Sequence, residues 1–277
     1  MSRESLEEMA RLIRIDIIRS AYAAPGATHE GPALSIADIC AVLYFEAMRL
    51  DPQNPAWPDR DRFVLSKGHG YQALYSALAR RGFFDLKELE TLRHLHSILQ
   101  GHPDMRKTPG VDATSGSLGN GLGIAVGMAL AGRLDRKDYD VFVVLGDGEI
   151  QEGSIWEAAM AAAHYGLSHL IAFVDRNGFQ STGTVNETMR VDPLAEKWRA
   201  FGWNVEEIDG HDVSAIAAFI QRARCQEGRP SVAIAHTVKG KGVSFMENNN
   251  KWHMSGLTRE EMERALVELG AERGDAA

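Results

Sequence analysis

Apolar residues recur at helical spacing over residues 5–22, 35–48, 71–81, 86–95, 119–133, 155–165, 212–226 and 259–269, and this periodicity predicts helices there. Short apolar runs near 63–65, 140–145, 169–175, 203–208 and 231–238 predict strands. Strands alternate with helices through the second half, the pattern of an α/β fold with a parallel sheet and helices on both faces. The segment LDPQNPAWPDRDR reads as a surface connection, because the alternation continues beyond it. The chain therefore reads as a single domain over 1–277, with 271–277 as a disordered tail.

The best-defined unit runs from 140 to 177. The strand DVFVVL leads into Gly146-Asp147-Gly148, and Ser154 with Glu157 forms an S-x-x-E pattern that predicts a capping box. The helix IWEAAMAAAHY stops at Gly166, and the strand HLIAFVDRN follows. A strand-helix-strand crossover makes the two strands parallel, so Asp147 and Asn177 belong to one sheet edge, where open α/β sheets bind ligands. In TSGSLGNGLGIAVGMALAG, Gly119, Gly123, Gly127 and Ala131 recur every four residues. They predict a small-residue face against which another element packs tightly.

Composition narrows the function. A hydrophobic content of 44% and a charged content of 25% suit a globular protein, and a net charge of -8 argues against general nucleic-acid binding. Two cysteines, Cys40 and Cys225, form no disulfide framework and fit a reducing compartment. Arg14, Asp16 and Arg19 interrupt the N-terminal apolar pattern where a signal peptide needs an unbroken core. GLGIAVGMALAG is too short to span a bilayer. A cytoplasmic protein with no membrane partner is expected.

A carboxylate between two glycines at the mouth of an apolar strand calls for a chemical reason. Asp147 offers a hard anionic oxygen and Asn177 a neutral one; with a backbone carbonyl they suit Mg²⁺, which shares its shell with phosphates. Without the metal, a carboxylate and a phosphate about 4 Å apart would repel by roughly 4 kcal/mol per charge pair. Gly-Asp-Gly alone is more often a turn. Here 28 residues (149 to 176) lie between Gly148 and Asn177, and GDG, this spacer and the Asn resemble the thiamine diphosphate motif.

GDGEIQEGSIWEAAMAAAHYGL resembles transketolase. RFVLSKGHGYQALYSAL, LQGHPD, TPGVDATSGSLGNGLGIAVGMALAGRL (with Ser115 in place of a threonine) and AHTVKGKGVSF followed by WH resemble that family's segments in matching order, from about 10 to 265. The resemblance implies the thiamine diphosphate-binding fold, thiamine diphosphate as cofactor, and Mg²⁺ with Ca²⁺ or Mn²⁺ as alternatives. Asp147, Asn177 and Phe179 match the metal ligands. Lys67, His69, Gly116, Leu118, Gly148, Glu152, Asn177, Lys239 and His253 match cofactor-contacting positions, and His29, His69, His102 and His253 match catalytic ones. Rival readings are solvated loop histidines, solvent-facing lysines, and Glu152 as a first-turn helix stabiliser.

Two loops depart from the pattern. Glu30 follows His29 where the family has proline, with Pro32 where a small residue is common; Thr182 precedes Gly183 where an Asp is usual. The family's second domain, which grips the cofactor's pyrimidine, is not found in these 277 residues. The chain thus resembles the N-terminal subunit of a split transketolase. It would pair with a C-terminal subunit, two copies of each, and move a two-carbon unit from a ketose to an aldose, sugars or sugar phosphates. A specialised two-carbon transfer involving a modified sugar is the alternative, and a non-catalytic cofactor-binding or regulatory protein the alternative of another class. A nicotinamide-dependent dehydrogenase is excluded: Ile124 or Val126 stands where G-x-G-x-x-G needs its third glycine.

Overall fold

A computed structural model of the chain describes residues 1–272. In chain order the helices are α1 (Arg3–Ala23), α2 (Glu30–Leu34), α3 (Ala37–Val42), α4 (Tyr71–Arg81), α5 (Gly121–Leu134), α6 (Gly153–His164), α7 (Val185–Thr188), α8 (Leu194–Ala200), α9 (Val213–Arg224) and α10 (Arg259–Glu268). The strands are β1 (Arg62–Leu65), β2 (Val141–Gly146), β3 (Leu170–Arg176), β4 (Phe179–Gln180), β5 (Gly183–Thr184), β6 (Asn204–Asp209) and β7 (Ser231–His236). Five of them form one sheet in the order β1-β2-β3-β7-β6, parallel throughout. The hairpin β4-β5 stands apart.

The expected α/β architecture is present, and alternation along each strand builds it. Phe142 and Val144 enter one core with residues of α1, α3, α4 and α9. Val141, Val143 and Leu145 enter a second core with residues of α5, α6 and α8. All six residues of β2 are buried, as expected of a parallel sheet covered on both faces. Each fully buried Val, Leu or Phe stabilises the fold by roughly 1.5–3 kcal/mol, so the sheet is a rigid frame for the loops at its carboxyl edge.

Several expectations need correction. The helix predicted over 86–95 is only a 3-10 turn, Leu86–Thr91. Arg93 and His96 take positive φ, and the Arg93 N–H bonds Leu99 O at 2.9 Å, which closes a loop instead of extending a helix. The pattern over 35–48 splits into α3 and a π-helical stretch, Leu43–Ala47. The predicted capping box at Ser154 and Glu157 is absent: the helix starts two residues earlier, after Glu152, and the Ser154 hydroxyl donates to Gly119 O. A capping box does form between Thr258 and Glu261 at the start of α10. Gly166 takes φ 60° after α6, as a helix-ending glycine should.

The small-residue face is not packed within the chain. A Cβ at Gly123 or Gly127 would meet nothing within 4 Å, and both residues are exposed. Gly119 precedes α5 at φ +87° and packs against Glu152 and Ser154. Helices α2 and α8 and the hairpin β4-β5 leave no mark in the apolar pattern, being too short for periodicity to register. Of the expected tail, 273–277 lie outside the described residues; Ala271 instead bonds back to Leu266 O.

Candidate active site

The carboxyl edge of the sheet gathers the predicted acid and amide. Gly146 on β2 pairs with Asp175 on β3, so Asp147 and the loop 176–178 emerge side by side. Asp147 is 1% exposed. Its Oδ1 accepts from Gly148 N at 2.8 Å and its Oδ2 from Gly178 N at 2.6 Å. Burial first, and then the nearby Asp175, push its carboxyl up to about 6, against those two N–H groups and Arg176. Asn177 donates Nδ2 to Asp175 Oδ2 at 2.7 Å, and its Oδ1 accepts from Phe179 N at 3.0 Å. Because an ionised carboxylate only accepts, Asp175 fixes which end of the Asn177 amide carries the oxygen.

Asp175 anchors this edge. It takes bonds from Ser35, Lys67, Asn177 and Thr237. Burial opposes its charge, yet Lys67 and those bonds hold the carboxyl below its usual range. The solvent-facing reading of Lys67 fails. It does not face solvent, at 1% exposure, and its ammonium is committed to Asp175 and Pro32 O.

The four candidate histidines converge. His29 sits at ring-centroid distances of 5.7 Å from His69, 6.1 Å from His102 and 5.9 Å from His253, and His69 lies 5.3 Å from His253. With Lys67, Gly116, Leu118, Asp147, Gly148, Glu152, Asn177, Phe179 and Lys239 they line one cavity of about 310 Å³. Burial, then neighbouring cations, push His29 down to about 4 and His253 to about 3; His69 falls well below its ordinary value, and His102 falls less far. All four are neutral imidazoles at pH 7, so each can hold a proton on one nitrogen and accept on the other. The other six histidines stay outside the cavity lining.

Lys239 is also buried, at 1% exposure. Burial, with Lys67 adding to it, lowers its ammonium to about 7. It donates to Asn250 Oδ1 at 2.7 Å and pairs with His253 Nδ1 at 3.0 Å. As an ammonium it can only donate, which puts the His253 proton on Nε2.

Three features of the pocket escape the sequence reading. Glu149 is buried and accepts from Ser66 Oγ, Gly119 N and Gly146 N, tying three loops together; it sits inside the quoted motif, but an acid in a turn reads as solvated. Arg93 depresses both His29 and His102, and nothing local marks it as different from other arginines. Arg176 lies between Asp147 and Asp192. Glycine conformation is required at Gly116, where φ is +145° and a Cβ would stand 3.1 Å from the His102 ring.

The family described as "Transketolase, thiamine diphosphate binding domain" matches residues 2–275. The chain belongs to the transketolase family. As a transketolase-type transferase subunit, it is 48% identical over 247 residues to a 6-deoxy-6-sulfo-D-fructose transketolase subunit of Clostridium sp., covering 89% of this chain and 90% of the relative. It is 42% identical over 269 residues to an apulose-4-phosphate transketolase subunit of Phocaeicola vulgatus, covering 97% and 95%. The transketolase of Campylobacter jejuni superposes with a TM-score of 0.89 at 32% identity, over 98% of this chain and 43% of that one. This chain thus spans nearly all of the two subunits but well under half of the single-chain enzyme. Among the described residues no helix is long and apolar enough to cross a membrane.

The cavity suits the family's cofactor on its own chemistry. The His29 Nδ1 atom on its wall is buried without a partner, and buried polar atoms ordinarily find one. At Gly148 a Cβ would stand 2.8 Å from Gln180 Cβ, so only glycine fits at that point of the wall.

Proposed function

We propose that this chain, one diphosphate-binding domain over 1–277, is the N-terminal subunit of a two-subunit transketolase. It transfers a two-carbon ketol unit from a ketose to an aldose in the cytoplasm. The observation that carries this reading is one cavity with neutral histidines on its wall and an Asp–Asn oxygen pair at the sheet edge. Asp147, Asn177 and the Phe179 carbonyl would hold Mg²⁺, or Ca²⁺ or Mn²⁺ in its place. That Asp and Asn supply hard oxygens accords with there being no cluster of three or more His, Cys, Asp or Glu fit for a metal among the described residues. Gly148, Gly116, Leu118, His69, Lys239 and His253 would contact the cofactor. Lys67 would act through Asp175 and Asn177, and Glu152 from the exposed rim.

When bound, thiamine diphosphate supplies the nucleophilic carbon that carries the two-carbon unit. The chain's task is to place protons. His29, His69, His102 and His253 hold or accept one at substrate hydroxyls, which neutral imidazoles do near physiological pH. His102, exposed at the mouth, is the one whose loss should leave the pocket intact. His102→Ala is expected to lower turnover at least about tenfold with cofactor affinity little changed. An unchanged rate in a stopped-flow assay would remove it from the mechanism.

The partner has a landing surface on this chain. Around the open Gly123–Gly127 face lie Leu118, Leu134, Met160 and Tyr165, 37%, 80%, 59% and 45% exposed. Apolar groups so placed on α5 and α6 and their flanks support a contact surface for another chain, and the assembly proposed is two copies of each subunit. Mixing purified subunits is expected to restore turnover that neither gives alone; full activity from this chain by itself would overturn the split arrangement.

A specialised sugar is the second reading, favoured by the relative named for a sulfonated fructose and by Glu30 and Thr182 at the loops that depart from the family. Assaying the paired subunits on xylulose 5-phosphate with ribose 5-phosphate, against 6-deoxy-6-sulfo-D-fructose, separates the two.

A further inference from the structure

The two buried carboxylates at the sheet edge each have a cation of their own. Asp175 has Lys67; Asp147 has Arg176, the last residue of β3. Arg176 is 13% exposed along its side chain, and its guanidinium is shared. Nη1 reaches Asp147 Oδ2 at 3.3 Å, while Nη2 reaches Asp192 Oδ2 at the shorter distance of 2.6 Å. Asp192 is half open, with 45% of its side chain exposed. On the side of Asp192, Arg176 also lines a separate cavity of about 520 Å³, together with Arg199, Glu207 and His236. Asp147 lines the cofactor cavity instead.

We propose that Arg176 is the resident counter-ion of the metal site, and that the division of its guanidinium between Asp147 and Asp192 sets how tightly a divalent cation is held. The inference rests on the reading of Asp147 as a metal ligand. Its physical basis is competition. Asp147 Oδ2 already takes the Gly178 N–H, so a metal arriving at that oxygen meets a guanidinium directed at the same atom. Arginine cannot leave by losing its proton. It can leave only by moving, and Asp192 is the acceptor already in its grasp. A guanidinium fork engages two carboxylates without rearranging its long stem, so the transfer needs a change of bond lengths more than of rotamer. Asp192 therefore favours the metal by drawing the competing cation away.

The experiment is a Mn²⁺ titration of the full chain with saturating thiamine diphosphate at pH 8, free Mn²⁺ being counted by electron paramagnetic resonance. Arg176→Gln, which removes the competing charge, is expected to tighten Mn²⁺ about tenfold. Asp192→Asn, which returns the guanidinium to Asp147, is expected to loosen it about tenfold. In the double variant the Asp192 effect should vanish, since it acts through Arg176. Circular dichroism confirms that each variant is folded. A merely structural Arg176 would make both single variants bind more weakly; that result, no change in either, or an Asp192 effect that persists without Arg176, overturns the inference. If wild type takes up no Mn²⁺ with the cofactor, the metal-site reading itself fails and this inference with it.

Discussion

Replacing Asp147 by Asn is expected to weaken metal-dependent uptake of thiamine diphosphate by at least about a hundredfold, equivalent to about 2.8 kcal/mol, and to abolish turnover. Of the three proposed ligands only Asp147 is anionic; Asn177 and the Phe179 carbonyl are neutral. A unit charge and a divalent ion about 4 Å apart attract by roughly 8 kcal/mol at an effective dielectric of 20. Dehydration of the ion offsets most of that gain, which is why the expected loss is a fraction of it. The Asn side chain still offers an oxygen to Gly148 N or Gly178 N, so circular dichroism should stay unchanged. Calorimetry with magnesium present and with it chelated is the measurement. A variant whose cofactor binding keeps its full metal dependence would show that the cation sits elsewhere.

Much of the fold is legible in the sequence because the elements that matter are regular. Strand β2 and the first five residues of β3 are unbroken apolar runs, and the βαβ rule alone puts Asp147 and Asn177 on one edge, where the structure has them. What fails is local geometry decided by contacts distant in sequence. Ser154 looks like a cap, but Gly119 O, from another loop, claims its hydroxyl. The stretch after Thr91 keeps its apolar spacing, yet Arg93 bonds across to Leu99. Gly123 and Gly127 read as core spacers because periodicity reports a face and not what covers it.

The site is legible in a different way. Spacing and resemblance name the four histidines, and only the folded chain brings the rings of His69, His102 and His253 within about 6 Å of His29. Charge environment cannot be read at all. Lys67 and Lys239 look like surface lysines in the sequence and are both 1% exposed. The deciding quantity in each case is desolvation, which no single residue's neighbours in the chain reveal.

Glu30 is the extreme of that kind, and it makes stability depend on pH in an unusual direction. Its carboxyl is fully buried, with Oε1 bonded to Thr28 Oγ1 at 2.5 Å and Oε2 without a partner. Burial pushes it up from 4.5 to about 8, with Thr28 and its own backbone opposing and Glu261 adding to the rise. An acid raised on folding stabilises the native state most fully below its unfolded value, and that contribution fades as pH rises from about 4.5 through about 8. At roughly 1.36 kcal/mol per pH unit, the whole effect has an upper bound of about 5 kcal/mol. Glu30→Gln, which mimics the neutral acid, should match wild type near pH 4.5 and exceed it by several kcal/mol at pH 9. Each kcal/mol is worth about 2–4 °C in a domain of this size, so thermal melts across that range read the divergence directly. The consequence reaches the active site, because Glu30 is adjacent to His29 in the chain. A neutral Glu30 adds no negative charge beside that imidazole and so leaves it unprotonated, the form in which it can accept a proton from a substrate hydroxyl. Parallel stability curves for the two proteins from pH 5 to pH 9 would mean that Glu30 is already ionised in the fold, and that burial and the surrounding cations keep His29 neutral in spite of that charge.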